Sequence, residues 1–376
     1  MKSRKNWVGI VAVMASLAML TACGSGTGQT TAETEKTAEA GNPAEAAVPT
    51  VDAPASESAA TAGSETESTV LEPITIRACF TTGMTGAVNN FAIEKGLYRD
   101  LGIEFEVVRG EGSNDRLAMM TRNEIDVCDG DPSAYIAGIN NGVPATLVGN
   151  MWRYSGCYWL IADNDIKDFA DLKGKTIGTS GSAGGMHLSV LEMLEVNGIN
   201  EDEVVLVANG SYQTAYSTLL SGEVDATIIH NPYASLAEAE GTGHVLGRAW
   251  DYIPDYYTGT IMAQNEFIAK EPEKLQRFLT AYYQVHEQVK NEYFDEFVTW
   301  AAENMNTSEE VMRDAIESEI DVWLDYPVIP EGRLEKTVEF LKQYGWIDEN
   351  VTPEGTYNNE FAIRAAEELG MTDPEA

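Results

Sequence analysis

The chain has 376 residues, with 60 acidic residues against 24 Lys plus Arg, a formal net charge of −36, and 44% hydrophobic residues. That length and apolar fraction exclude a fully disordered chain and allow two or three domains with a sizeable core. The acidity argues against nucleic-acid binding through clustered Lys and Arg, and against charge-driven adhesion to an anionic membrane; it speaks to solubility and association, not to fold.

Residues 1–22 contain Lys2, Arg4 and Lys5 and no acid, and include an apolar run from Trp7 to Leu20. A basic start followed by about 14 apolar residues reads as a secretory signal and is short for a membrane-spanning helix. The run ends Leu20-Thr21-Ala22-Cys23, which resembles the lipobox of bacterial lipoproteins. That resemblance implies cleavage before Cys23, a lipid on Cys23, and an extracytoplasmic protein anchored to the cell membrane. Loss of three cations from −36 leaves a mature charge of −39. Residues 24–72 contain no aromatic side chain and are dominated by Ala, Thr, Glu, Ser, Gly and Pro. Such a segment cannot bury enough apolar surface to offset its ordering entropy, so a flexible tether of roughly 40 Å end to end is expected. Cys79, Cys128 and Cys157 then remain, an odd number without CxxC or zinc-like spacing, and read as buried small apolar side chains rather than a disulfide framework.

From residue 73 onward, strand-like and helix-like segments alternate. Strands are expected at Ile74–Phe80, Ile103–Val108 and Ile125–Cys128, with a turn-rich loop at Thr81–Gly86, helices at Ala87–Tyr98 and Asp115–Arg122, and a further helix opened by Asp131-Pro132. A second block follows, with strands at Tyr158–Ala162, Thr176–Thr179, Val204–Val207 and Ala226–Ile229 and helices at Met186–Val196 and Tyr212–Ser221. Gly259–Ala263 is again strand-like, and from Glu271 the chain is nearly all helical. The fold class is therefore α/β, with mostly parallel sheets covered on both faces and a helical C-terminal extension. Two α/β lobes imply a cleft between them, where ligands favour binding.

The residues at this point resemble a known group. Asp171-Leu172-Lys173-Gly174-Lys175-Thr176-Ile177-Gly178, Gly222-Glu223-Val224-Asp225-Ala226, His230-Asn231-Pro232-Tyr233, and Gly130-Asp131-Pro132 with Gly142-Val143-Pro144 are similar to segments of periplasmic-type solute-binding proteins. Together they resemble the family that captures aliphatic sulfonates, taurine, nitrate or thiamine-pyrimidine precursors for ABC importers. The resemblance covers about residues 74–300. It implies a two-lobed periplasmic-binding-protein fold of type II, with lobe one at 73–160 plus 262–376 and lobe two at 161–261. It implies a monomer, an ABC permease and its ATPase as partners, a small-molecule ligand, and no cofactor, metal or catalytic residue.

Several loops are expected to meet in the cleft, because ligands of α/β sheets sit beyond the carboxyl ends of the strands. The first contributes Thr81, Thr82 and Met84. Asp131 follows, either capping its helix or facing an N–H donor of the ligand. The glycine-rich segment before the 186–196 helix contributes Ser180, Ser182, Gly184 and His187, with free N–H groups suited to an anion. Relatives resemble Gly-Ser-Ser-Ala-His there; Gly184 and Gly185 replace two hydroxyl donors, which points away from a sulfonate. Asn209 and Tyr212, then His230 and Asn231, complete the loops; relatives place Trp where His230 stands. Trp152, Tyr154, Trp250 and Tyr257 are candidate aromatic walls, with Arg153 beside the first pair as a candidate partner for an acid. Aromatic walls and a glycine-lined end favour a flat or heteroaromatic ligand or a small organic anion.

Two alternatives stay open. One is an enzyme on the same fold related to thiamine-pyrimidine synthesis, although its Cys-rich segment and the GxSxG, HExxH and P-loop motifs are missing from this sequence. The other is a surface sensor or adhesin.

Overall fold

The computed structural model describes residues 72–110, 112–151, 156–181, 184–210, 212–323 and 326–374. Cys23, the tether, Trp152, Arg153, Tyr154 and Ser182 lie outside the described residues.

The chain runs β1 (Ile74–Cys79), α1 (Gly83–Lys95), α2 (Leu97–Asp100), β2 (Ile103–Val107), α3 (Gly112–Thr121), β3 (Val127–Gly130), α4 (Pro132–Asn140) and β4 (Ala145–Asn150). It continues with β5 (Trp159–Ala162), β6 (Thr176–Thr179), α5 (Gly185–Val196), β7 (Val205–Ala208), α6 (Gln213–Leu220), β8 (Ala226–Ile229), α7 (Tyr233–Glu240), β9 (His244–Arg248) and α8 (Ala249–Tyr252). The last part is β10 (Thr260–Gln264), α9 (Asn265–Lys270), α10 (Pro272–Asn291), α11 (Phe294–Asn304), α12 (Glu309–Glu317), α13 (Glu331–Gln343) and α14 (Glu360–Leu369).

Two five-stranded sheets result, ordered β2-β1-β3-β10-β4 and β7-β6-β8-β5-β9. The chain leaves the first sheet after β4 and returns to it with β10. Both sheets are mixed rather than purely parallel: β10 runs antiparallel to β3 and β4, and β5 antiparallel to β8 and β9. Either strand enters its sheet directly from the other half of the molecule, without the helical crossover a parallel neighbour requires.

Local sequence explains the element ends that matter for the cleft. The helix after β1 begins at Gly83, earlier than the loop expected at Thr81–Gly86. Thr82 is its extended N-cap, and Met84, Val88 and Phe91 share its buried face. Gly96 ends that helix at φ 91°, donating its N–H to the carbonyls of Ala92 and Ile93. Asp131 caps α4 through Ser133 N–H at 2.9 Å, with Pro132 in the first turn. In α10, Leu275, Phe278, Leu279, Tyr282, Val285 and Val289 recur at helical spacing and are all fully buried, packing the helix against the first sheet. Burial of such side chains contributes about 1.5–3 kcal/mol each. The second sheet is covered on one face by α5 (Leu188, Val190, Met193, Leu194) and on the other by α6 and α7 (Ala215, Tyr216, Leu219, Ala234, Ala237).

The C-terminal helices tie both sheets together. Glu319, buried after α12, accepts hydrogen bonds from Trp159 Nε1 (3.3 Å), Trp323 Nε1 (3.3 Å) and Asn231 Nδ2 (3.2 Å). Tyr344 at the end of α13 donates to Glu192 of α5 at 2.9 Å. Cys79, Cys128 and Cys157 are buried, and no disulfide joins them to one another. No helix among the described residues is long and apolar enough to cross a membrane.

Candidate functional site

The loops that follow the C-terminal ends of β1, β3, β6, β7 and β8 converge on one cavity of about 820 Å³. The first sheet contributes Thr81, Thr82 and Thr85, the start of α3 with Arg116, and Asp131 with the small-residue face of α4. The second contributes Ser180, Gly181, Gly184, Gly185, Gly210, Tyr212 and His230, together with Tyr158. A second cavity, about 620 Å³, lies along α13 between Asp255, Arg333 and Lys336, away from these strand ends. The strand-end cavity is the candidate site.

Hydrogen bonds cross the cleft. Asp131 Oδ2 accepts from Gly185 N–H at 2.6 Å, so one carboxylate meets the first turns of both α4 and α5. Tyr212 Oη donates to Thr85 Oγ1 at 2.9 Å, and Ser133 and Tyr256 hydroxyls pair across the same gap. Gly185 permits this approach: a Cβ there would stand 2.8 Å from Tyr256 Oη and 3.0 Å from Tyr158 Oη. His230 sits between two rings, stacked on Tyr212 at 5.0 Å and edge-on to Tyr158 at 5.1 Å, which gives the cavity an aromatic wall.

Behind the first-sheet wall is a buried polar network. Asp129, fully buried, accepts from Thr81 N–H at 2.6 Å and Asn89 Nδ2 at 3.2 Å; Asn89 Oδ1 in turn accepts from Tyr98 Oη at 2.7 Å and lies 3.1 Å from His286 Nε2. Burial raises the Asp129 carboxyl pKa, against the pull of Arg116 and Thr81. Arg116 is 3% exposed. Its Nη2 donates to Phe80 O at 3.2 Å, while Nε has no hydrogen-bond partner among the described residues. Burial opposes its charge, but Tyr135, Asp129, Cys128 and Cys79 outweigh that and raise its pKa. Thr81, also lining the cavity, is buried, and its backbone and side chain both favour the charged Asp129 carboxylate behind it.

Of the residues expected from sequence, the structure brings Thr81, Thr82, Asp131, Ser180, Gly184, Tyr212 and His230 to this cavity. Others take different places. Met84 packs in the core on α1. His187 is one position past the lining of α5, paired with Thr179 Oγ1 at 2.9 Å and set against Trp346, and burial lowers its pKa. Asn209 Nδ2 donates to Thr218 and Thr227 hydroxyls at 2.8 and 3.0 Å. Asn231 binds Ala315 O at 2.9 Å, and the bond from Asn231 to Pro232 is cis. Trp250 packs edge-on to Trp159 at 5.0 Å, and Tyr257 is enclosed with Leu147 and Met262 behind the first sheet. Trp152, Tyr154 and Ser182 lie outside the described residues.

Sequence reasoning missed Arg116. A lone Arg in a helix reads as solvated, yet Arg116 is four residues before Met120, the other fully enclosed side chain of α3, and so shares its buried face. That spacing was the available signal. Among the described residues, no group of three or more His, Cys, Asp or Glu is placed to hold a metal ion.

The chain is 21% identical over 289 residues to YtlA of Bacillus subtilis (strain 168), whose name marks it as a candidate binding protein; the match spans 74% of this chain and 85% of YtlA. It is 24% identical over 201 residues to the 4-amino-5-hydroxymethyl-2-methylpyrimidine phosphate synthase of Schizosaccharomyces pombe (strain 972), spanning 50% of this chain and 57% of the synthase. Among solved structures, the periplasmic sulfonate-binding protein SsuA of Methylobacillus flagellatus KT, from a candidate sulfonate ABC transporter, matches with a TM-score of 0.63 at 19% identity, over 80% of this chain and 96% of that one. This likeness establishes the fold as that of the two-lobed periplasmic binding proteins. The sequence profile of the NMT1/THI5-like family matches residues 87–292, more than half of the chain, and the chain belongs to that family.

Proposed function

We propose that the protein is an extracytoplasmic substrate-binding lipoprotein that captures a small organic molecule in the cleft between its lobes and delivers it to an ABC permease. The observation that carries this reading is the 820 Å³ cavity itself, formed where loops of both sheets meet and lined by Arg116, Asp131, Thr81, Tyr158, Tyr212 and His230. A concave space with a few convergent polar groups and an aromatic wall has the make-up of a small-molecule site. Across the mouth of the cavity the two walls are joined by side-chain hydrogen bonds, among them those at Asp131, Tyr212 and Ser133, which a hinge motion could break and remake around a ligand. The aromatic wall of Tyr158, His230 and Tyr212 suits a flat ring, and Asp131 suits a ring N–H or an amine on that ring. The names of YtlA and SsuA support capture rather than catalysis, and the lipobox at Cys23 supports a membrane-anchored receptor.

A thermal-shift panel of sulfonates, taurine, nitrate, pyrimidines, flavins and aromatic acids tests this. A ligand that binds only the folded state raises the melting temperature by mass action. At least one class is expected to do so; a panel without any shift would overturn the receptor reading. The half-chain likeness to the pyrimidine phosphate synthase supports a second reading, an enzyme in the same cleft. Mass spectrometry of the bound compound after incubation separates the two: a receptor returns it unchanged, an enzyme does not.

A further inference from the structure

We propose that Arg116 is the specificity-determining residue of the cleft and that the ligand carries a carboxylate which this guanidinium receives. The inference rests on the receptor reading above and names the ligand class for that same cavity.

Arg116, on α3, lines the same cavity as the glycine-rich start of α5, which an anion would otherwise favour. That second position is already met by a carboxylate of the protein itself, because Asp131 Oδ2 accepts the Gly185 N–H at 2.6 Å. An acidic ligand group placed there would face Asp131 at close range and be repelled. Arg116 and Asp131 are the Arg and Asp that line the cavity, and no Lys or Glu accompanies them among the described residues. The acid end of a ligand therefore belongs at Arg116 and any N–H end at Asp131.

The surroundings of Arg116 favour a carboxylate over a sulfonate. A guanidinium has five N–H donors, and here the carbonyl of Phe80 takes one of them at 3.2 Å. No Asp or Glu oxygen pairs with it within 4 Å among the described residues. Asp129 acts on it only through its field, its oxygens being engaged by Thr81 and Asn89. The planar fork matches two coplanar oxygens. A sulfonate would bring a third oxygen for which the planar fork has no matching donor.

The test is a titration of the wild-type protein with benzoate, benzamide and benzenesulfonate, followed through the Arg116 Nε–H resonance and the backbone amides of Gly185 and Tyr212. Benzoate is expected to shift the Arg116 resonance saturably, and benzamide and benzenesulfonate to bind at least about tenfold more weakly. Arg116→Lys keeps the charge beside Asp129 but loses the fork; it is expected to keep the fold and lose about tenfold in benzoate affinity. Equal binding of benzoate and benzamide, equal binding of benzenesulfonate, or an unmoved Arg116 resonance would each overturn the carboxylate assignment. Movement of Gly185 and Tyr212 by all three compounds alike, without Arg116, would sink the assignment and leave the receptor reading standing. If benzoate moves none of these groups the assignment also falls, and the compound panel above decides the receptor reading separately.

Discussion

The first-lobe wall of the cleft carries Arg116, Asp131 and the Thr81 hydroxyl, backed by the buried Asp129–Asn89 network, whereas the second-lobe wall offers glycine backbone at 181, 184, 185 and 210 beside Tyr158, Tyr212 and His230. One wall has charges whose positions are set by hydrogen bonds from behind. The other has surfaces that tolerate close approach. This division suggests that the first lobe discriminates between ligands and the second covers whatever the first has accepted.

Two glycine substitutions probe how rigid each wall is. At Gly86, in the first lobe, a Cβ would stand 1.7 Å from the Thr81 carbonyl oxygen, which is backbone tied to the Asp129 contact. Gly86→Ala should cost about 3 kcal/mol or more of stability in denaturant unfolding. At Gly178, in the second lobe, the Cβ would meet the Asn209 side chain at 2.0 Å, which can turn away at the expense of its bonds to Thr218 and Thr227. Gly178→Ala should cost less, about 1–2 kcal/mol. Equal losses would erase the distinction between a fixed and an adaptable wall.

Asp131 joins the walls. Asp131→Ala removes the α4 cap and the bond to Gly185, and should lower stability by roughly 1–2 kcal/mol. Asp131→Asn keeps a capping oxygen and should recover most of that, while weakening ligands that offer an ammonium or ring N–H. If the two variants melt alike, the cap is not the stabilising element. A milder change is Tyr212→Phe, which deletes the hydroxyl bonded to Thr85 and keeps the ring stacked on His230. A loss of about 1 kcal/mol corresponds to roughly fivefold weaker binding by calorimetry; a larger loss would mean that the second wall contributes more than cover.

The smallest effect concerns His187. Burial depresses its folded pKa below 6.5, so the folded state binds fewer protons than the unfolded chain. Its contribution is present above pH 6.5 and is lost as pH falls through the folded pKa. His187→Gln should flatten the melting temperature between pH 7 and pH 5, with little change at pH 7.5. An unchanged slope would mean that His187 does not report on second-lobe stability.

The α/β alternation, the helical C-terminal part and most cleft loops were legible because hydrophobic period and Gly or Asp turn residues are local signals. β4 (Ala145–Asn150) and β9 (His244–Arg248) escaped: neither alternates cleanly, and pairing with β10 and β5, over a hundred and over eighty residues away in sequence respectively, is what makes them strands. The antiparallel entry of β10 and β5 is likewise a property of the chain path. Arg116 escaped for a different reason: its spacing to Met120 marks the buried face of α3, but a lone Arg reads as solvated. Asn209, Asn231 and His187 sit in the right loops, yet their polar groups are engaged by neighbouring structure, which loop position alone does not reveal.

Amide hydrogen exchange, measured with and without the panel compound that raises the melting temperature most, tests the central claim most directly. Binding between the walls predicts simultaneous protection of Gly130–Ser133 in the first lobe and of Gly185–Met186 in the second. Protection confined to one lobe, or to Glu331–Lys336 beside the cavity along α13, would contradict it.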